Sequence, residues 1–274
     1  MDAMREDKAL SLTSNVNAWL ANTHQPRILH VFDSACNLIN ERGEVLSIVK
    51  RGIGAGPFNL VIEDEVLFLE YLNVESPISI LEGMLQIGDL RINIRDAEVW
   101  NPRPDWERLN NRRDDIAERL TQLSVADYLF STSPIPNFPV SGLSQSLVSA
   151  DITKAGLLAS QIAGLGVGLT PSGDDFLMGA VHAVWIIHPY QLASNLANEI
   201  ADTSIPQTTS LSAAWLEAAG NGEAGILWHE LFDTLILPDS DLQVPVSKIL
   251  SIGETSGADA LTGFLGVFSA AKNV

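Results

Sequence analysis

The hydrophobic period of this chain changes once, near Pro102 and Pro104, and that change restricts the possible folds more than any other feature. Before it, short runs rich in β-branched and aromatic residues fill 27–33, 46–50, 58–63, 66–71, 78–81, 84–87 and 90–94. Turn signals separate them: Arg42-Gly43, the glycines leading to Pro57, Glu82-Gly83 and Gly88-Asp89. Many short strands without helices between them predict a barrel or sandwich rather than a parallel sheet. Beyond the prolines the spacing becomes helical over 106–123, 143–163, 173–188, 190–203, 208–220, 223–236, 242–251 and 257–271. The expected class is α+β. A β-barrel-like unit (1–104) leads through a helical, proline-rich connection (105–140, including Ser133-Pro-Ile-Pro-Asn-Phe-Pro139) into an all-helical unit (141–274).

Composition narrows the function classes. A formal net charge of -18 over 274 residues repels nucleic acid, so no such partner is expected. Three lysines and no arginine stand against thirteen carboxylates from Asp151 onward, so that stretch has no arginine clamp for an anion. The one cysteine, Cys36, excludes an intrachain disulfide and reads as a small buried strand residue. The apolar run over 176–187 is shorter than the ~20 residues that span a bilayer, so no membrane partner is expected. Met1-Asp-Ala-Met-Arg-Glu-Asp-Lys is polar and unlike a leader, and the expected location is the cytoplasm.

The candidate functional centre is Gly164-Leu-Gly-Val-Gly-Leu-Thr-Pro-Ser-Gly-Asp-Asp175. Its glycines, Gly164, Gly166 and Gly168, permit backbone conformations closed to other residues. Thr170, Ser172 and Gly173 then enter a helix, with Ser172 and Asp175 in capping-box spacing. That helix is apolar almost all round and therefore buried, so its positive end points into the interior or a cleft and suits an anion. The plain structural reading is a capped helix whose glycines allow tight packing. No lysine follows the glycines, which excludes a P-loop.

A second copy strengthens the site. Ser256-Gly-Ala-Asp-Ala-Leu-Thr-Gly263 aligns without gaps on Ser172-Gly-Asp-Asp-Phe-Leu-Met-Gly179. Thr255 precedes one copy as Thr170 precedes the other, and Ser256, Gly257 and Asp259 repeat the chemistry of Ser172, Gly173 and Asp175. Two such entries suggest that both helix N-termini meet at one pocket, with Gly179 and Gly263 permitting close contact. Asp174, Asp175 and Asp259 are the candidate catalytic carboxylates, and such oxygen ligands also suit a hard cation such as magnesium.

Two other features join the candidate list. Lys50, Arg51, Gly54 and Gly56 form a glycine-rich connection between two strands and carry positive charge; a hairpin connection is the plain reading. Thr208, Thr209 and Ser210, in the run Thr208-Thr-Ser-Leu-Ser212, offer more hydroxyls than one helix cap uses. His182, His188 and His229 lack a metal-ligand spacing and read as core or surface residues, and no Ser/His/Asp triad can be assembled.

The run from Gly164 to Gly179 resembles the signature of the AllH (YlbF) family, long catalogued as a domain of unknown function. Gly43-Glu-Val-Leu46, the turn ending at Pro57, Thr208-Thr-Ser-Leu-Ser212 and Gly253-Glu-Thr-Ser-Gly-Ala-Asp-Ala-Leu-Thr-Gly-Phe264 resemble its other blocks in the same order, over about 27–270. The resemblance implies a β-barrel-like N-terminal unit and a subunit of oxamate carbamoyltransferase, in anaerobic allantoin and purine breakdown. That enzyme interconverts oxalurate plus phosphate with oxamate plus carbamoyl phosphate, and it implies AllF and AllG subunits as partners. The resemblance transfers no catalytic residue, so the candidate site rests on the residues themselves. Three readings stay open: an enzyme subunit binding a small anion such as carbamoyl phosphate or oxamate, a non-catalytic structural or regulatory subunit, and a stand-alone phosphate-binding enzyme.

Overall fold

The computed structural model describes residues 5–63, 67–121 and 140–272. The chain divides into two compact units, Met1–Pro102 and Arg103–Val274. The proline-rich segment near Ser133 lies outside the described residues.

The first unit is a nearly closed, barrel-shaped sheet, as the strand density predicts. Its strands are β1 (Arg5–Leu12), β2 (Arg27–Val31), β3 (Ala35–Ile39), β4 (Val45–Lys50), β5 (Asn59–Ile62), β6 (Ile78–Leu81), β7 (Met84–Ile87), β8 (Leu90–Asn93) and β9 (Glu98–Val99). Their order is β2-β3-β4-β5-β1-β8-β7-β6, with β9 also on β1. β1 is the hinge of the sheet: residues 5–8 pair parallel with β8 and residues 11–12 parallel with β9, while its antiparallel pairing with β5 shifts register between Ala9 and Ser11. Strands β6, β7 and β8 form an antiparallel meander, and β4 and β5 are parallel.

Alternation places Cys36, Leu38, Leu46, Ile48, Leu60 and Ile62 in one core. Helix α1 (Ser14–Asn22) adds Val16, Trp19 and Leu20 to it, at the i, i+3, i+4 spacing of a helical face. Thr13 caps α1 by accepting from the Val16 amide at 3.2 Å. Burial pushes the Cys36 thiol up to about 12, in keeping with a small buried strand residue.

Two expectations about this unit need correction, and the first is the hairpin at Lys50 to Gly56, since the strands it joins, β4 and β5, are parallel. The strand expected at 66–71 is, in its described part, a short helix α2 (Phe68–Tyr71). Its buried residues, Phe68 and Leu72, are four apart, and the Leu72 amide donates to the Phe68 carbonyl at 2.8 Å. That spacing belongs to a helical turn, not a strand. β1, α1 and β9 lie outside the expected runs, and of β3 only Cys36 is expected in a strand. β1 opens with Arg5-Glu-Asp-Lys8, whose charges mask the alternation of buried Asp7 and Ala9.

The second unit is helical: α3 (Trp106–Asn111), α4 (Arg113–Thr121), α5 (Val140–Val148), α6 (Ile152–Ile162), α7 (Ser172–Ile187), α8 (Tyr190–Ser204), α9 (Ser210–Gly220), α10 (Ile226–Leu235), α11 (Gln243–Leu250) and α12 (Ser256–Ala271). A 3₁₀ turn, Ile205–Gln207, links α8 to α9. The single helix expected at 143–163 is broken. Ala150 takes a positive φ of 57°, and Asp151 starts α6 afresh by accepting from the Lys154 amide at 3.1 Å. The helix expected at 106–123 is likewise two, divided at Arg112.

The core of this unit surrounds α7, which is buried along nearly its whole length. His182 lies inside an aromatic cluster of Trp106, Trp228 and Phe232, with the Trp228 ring at 4.9 Å. Burial lowers its pKa to about 3, so the imidazole is neutral. His188 hydrogen-bonds the Leu147 carbonyl through Nε2 at 2.7 Å. No helix among the described residues is long and apolar enough to cross a membrane.

Candidate functional site

Helices α7 and α12 run in the same direction and start side by side. The Thr170 hydroxyl, just ahead of α7, and the Ser256 hydroxyl, on the first residue of α12, are 3.0 Å apart. One to two turns further in, a Cβ on Gly179 would run into the Ala260 carbonyl oxygen, and a Cβ on Gly263 into that of Phe176. The two contacts are related by exchanging the sequence copies. The paired glycines therefore let the backbones meet.

The repetition extends to the preceding helices. A Cβ on Gly173 would meet the Ile162 carbonyl oxygen at the end of α6, and one on Gly257 the Ile249 carbonyl oxygen near the end of α11. The Gly173 amide donates to Leu165 at 2.8 Å and the Gly257 amide to Ile252 at 3.1 Å. The chain thus holds two copies of one helix–loop–helix device, joined at their second helices.

The two copies exchange side chains at the shared end. The Ser256 and Thr170 hydroxyls lie beside the Asp175 carboxyl, and those of Ser172 and Thr255 lie beside Asp259. Thr255 is exposed and Thr170, Ser172 and Ser256 are half-buried, whereas Asp175 is 6% and Asp259 1% exposed. The hydroxyls form a rim and the carboxyls a floor. Neither oxygen of Asp259 has a hydrogen-bond partner of good geometry, and Asp175 Oδ2 has none either.

Burial, and to a smaller extent the charges of Asp259 and Asp174, push Asp175 up to about 7 against the opposing effect of its hydroxyl neighbours. Burial also raises Asp259. These carboxyls stand at the positive ends of two helices, which favours their charge.

Asp174 faces elsewhere. Its Oδ1 accepts from the Gly164 amide at 2.8 Å and its Oδ2 from the Thr208 hydroxyl, while the Ser212 hydroxyl stands beside it. Burial raises its pKa against these hydrogen bonds. In the second copy Ala258 takes its place, so the residue belongs to the longer first loop alone. Thr209 caps α9 by accepting from the Ser212 amide at 3.1 Å, and its hydroxyl donates to the Leu169 carbonyl at 2.6 Å. Thr208 and Thr209 thus pin the loop from both ends, and Ser210 is exposed. Ser212 lies in the first turn of α9 while Thr208 is extended ahead of it, so no helical spacing in the sequence marks the two hydroxyls as neighbours of Asp174.

The loop itself takes positive φ at Gly164, Gly166 and Gly168 (73°, 126° and 95°), conformations that disfavour side chains. Gly166 and Gly168 are exposed, and Val167 between them is 92% exposed. The Gly173, Asp174 and Asp175 amides are occupied by Leu165 and Pro171 carbonyls, so they are not the free donors that the sequence suggests. Lys50, Arg51, Gly54 and Gly56 belong to the first unit: Lys50 ends β4 and is buried, Arg51 is exposed, and Gly54 has a φ of 85°. A Cβ on Gly56 would press on the Asn59 side chain.

Among the described residues, no three carboxylate, histidine or cysteine side chains gather closely enough for a metal ion. A cation held jointly by Asp174, Asp175 and Asp259 does not fit this geometry, because Asp174 is turned onto Gly164 and Thr208.

Comparison with known proteins agrees with the resemblance in the sequence. A family model described as oxamate carbamoyltransferase subunit AllH matches residues 162–268. Another, described as the AllH family N-terminal domain, matches residues 8–99. Together they cover well over half of the chain, and the first spans both helix entries. No solved structure matches the chain.

Proposed function

The chain belongs to the AllH family, and we propose that it serves as a subunit of an oxamate carbamoyltransferase-type enzyme whose small anionic substrate binds at the joined entries of α7 and α12. The reaction is oxalurate plus phosphate to oxamate plus carbamoyl phosphate. AllF- and AllG-like subunits are the partners this reading requires.

The observation that carries it is the exchanged pair of buried carboxyls, Asp175 and Asp259, with unengaged oxygens under a rim of four hydroxyls. Packing alone does not call for such groups, since an unpartnered buried polar atom costs stability. The hydroxyls and the two helix dipoles favour the anionic end of a substrate. The carboxyl oxygens accept from its amide or carbamoyl N–H groups. In phosphorolysis a hydrogen phosphate oxygen bonds to the carbamoyl carbon while the bond from that carbon to the oxamate nitrogen breaks, and the phosphate proton passes to that nitrogen. With no nucleophile–base pair at these entries among the described residues, the residues act by orienting both reactants and by placing dipoles.

Asp175→Asn, assembled with its partner subunits, is expected to lose about a hundredfold or more in transfer rate while the far-ultraviolet circular dichroism stays native. Normal turnover would remove Asp175 from the mechanism. It would favour the other reading, a subunit that docks partners and whose glycine motif only packs helices, as Gly179 and Gly263 visibly do.

A further inference from the structure

We propose that the joined helix entries hold one hard divalent cation, of the magnesium or manganese class, between Asp175 and Asp259, with the Thr170, Ser172, Thr255 and Ser256 hydroxyls completing an all-oxygen donor set.

Three observations lead there. The carboxyl oxygens of Asp259, 1% exposed, and Asp175 Oδ2 are buried, and the hydroxyls beside them give none of these oxygens a hydrogen bond of good geometry. Buried carboxylates persist when paired or when they coordinate a metal. Among the described residues no lysine, arginine or histidine acts on either carboxyl: Asp175 is acted on by Asp259, Asp174 and the Ser256 and Thr170 hydroxyls, and Asp259 by the Ser172 and Thr255 hydroxyls. An ion pair therefore does not supply the missing charge. The donor set is also oxygen alone, which matches hard cations and not zinc or copper.

Asp174 is not a ligand here, since its two oxygens are held by Gly164 and Thr208. Two carboxylates with several neutral oxygens are the protein share expected for magnesium, which binds through one or two carboxylates and keeps waters or substrate oxygens. The cation also resolves a conflict of sign. Phosphate and oxamate are anions, and this end of the unit presents carboxyls without an arginine from residue 151 onward. A bound divalent ion converts that floor into an anion site. This last step rests on the functional reading above; the cation site does not.

The test uses the full-length chain and manganese(II) as a paramagnetic probe. Titration followed by electron paramagnetic resonance is expected to show one ion per chain, displaced by magnesium. Asp259→Asn and Asp175→Asn should each weaken it at least tenfold. If either variant fails to fold, Ser172→Ala/Ser256→Ala decides, with an expected loss of several-fold. Absence of stoichiometric binding to the native chain, or affinity unchanged in the folded variants, overturns the site. Transfer assays with the assembled complex, with and without chelator, separate the two readings. Ion binding without transfer removes the proposed function and keeps the cation. Full transfer in chelator removes the cation and keeps the function.

Discussion

Asp174 and Asp175 are neighbours in the chain and opposites in environment. Successive helical residues point about 100° apart, which sends one carboxyl to Gly164 and Thr208 and the other toward Ser256 and Asp259. Composition and spacing named all three aspartates as equals; the direction of each side chain separated them. His182 shows the same limit. Its spacing excluded a shared metal face with His188, but the surrounding tryptophans became visible only once the helices were packed. That burial has a measurable consequence. The unfolded imidazole takes a proton near 6.5, whereas in the fold it does so only near 3. Between those values the unfolded state binds more protons, so this contribution to stability is present above about 6.5 and lost progressively as pH falls toward about 3. Replacing His182 with Phe should flatten the acid limb of a urea-unfolding series between pH 7 and pH 5 by up to ~1.4 kcal/mol per pH unit. An unchanged slope would show that His182 does not titrate on unfolding.

At the scale of elements, α7 and α12 are joined by glycines rather than by large side chains. The repeat of serine, glycine, aspartate, leucine and glycine was legible because it is a linear pattern. That both copies share one end, and exchange their serines across it, was not, because contact across the helices has no local signature. Gly179→Ala and Gly263→Ala each push a methyl group onto a carbonyl of the partner helix, and each is expected to cost about 1–3 kcal/mol through overpacking. Chemical denaturation measures this, and a cost below ~0.5 kcal/mol would mean that the helices separate freely. The break at Ala150 went unread for a related reason. Apolar spacing persists across 143–163, and only the positive φ of Ala150 with the Asp151 cap interrupts it.

At the scale of the whole molecule, the described residues form two hydrophobic cores that share no residue, one in the barrel and one around α7. Each unit therefore carries its own cooperative interior. Leu38→Ala opens a cavity at a fully buried barrel position, a change that costs about 2–5 kcal/mol in well-packed cores. Hydrogen exchange is expected to quicken in β3 and β4 and to stay native in α7 and α12. Equal acceleration in both units would show that they unfold as one.

The sequence by itself determined the class of each half, the repeated glycine entry and the family. All of these are periodic or contiguous in the chain. Only the tertiary structure decided which of three aspartates face one another, which hydroxyls tie down the loop and which form the rim, and that first-turn amides are already engaged. Those outcomes depend on side-chain direction and on partners tens of residues away, and hydrophobic spacing along a single strand or helix carries no record of either.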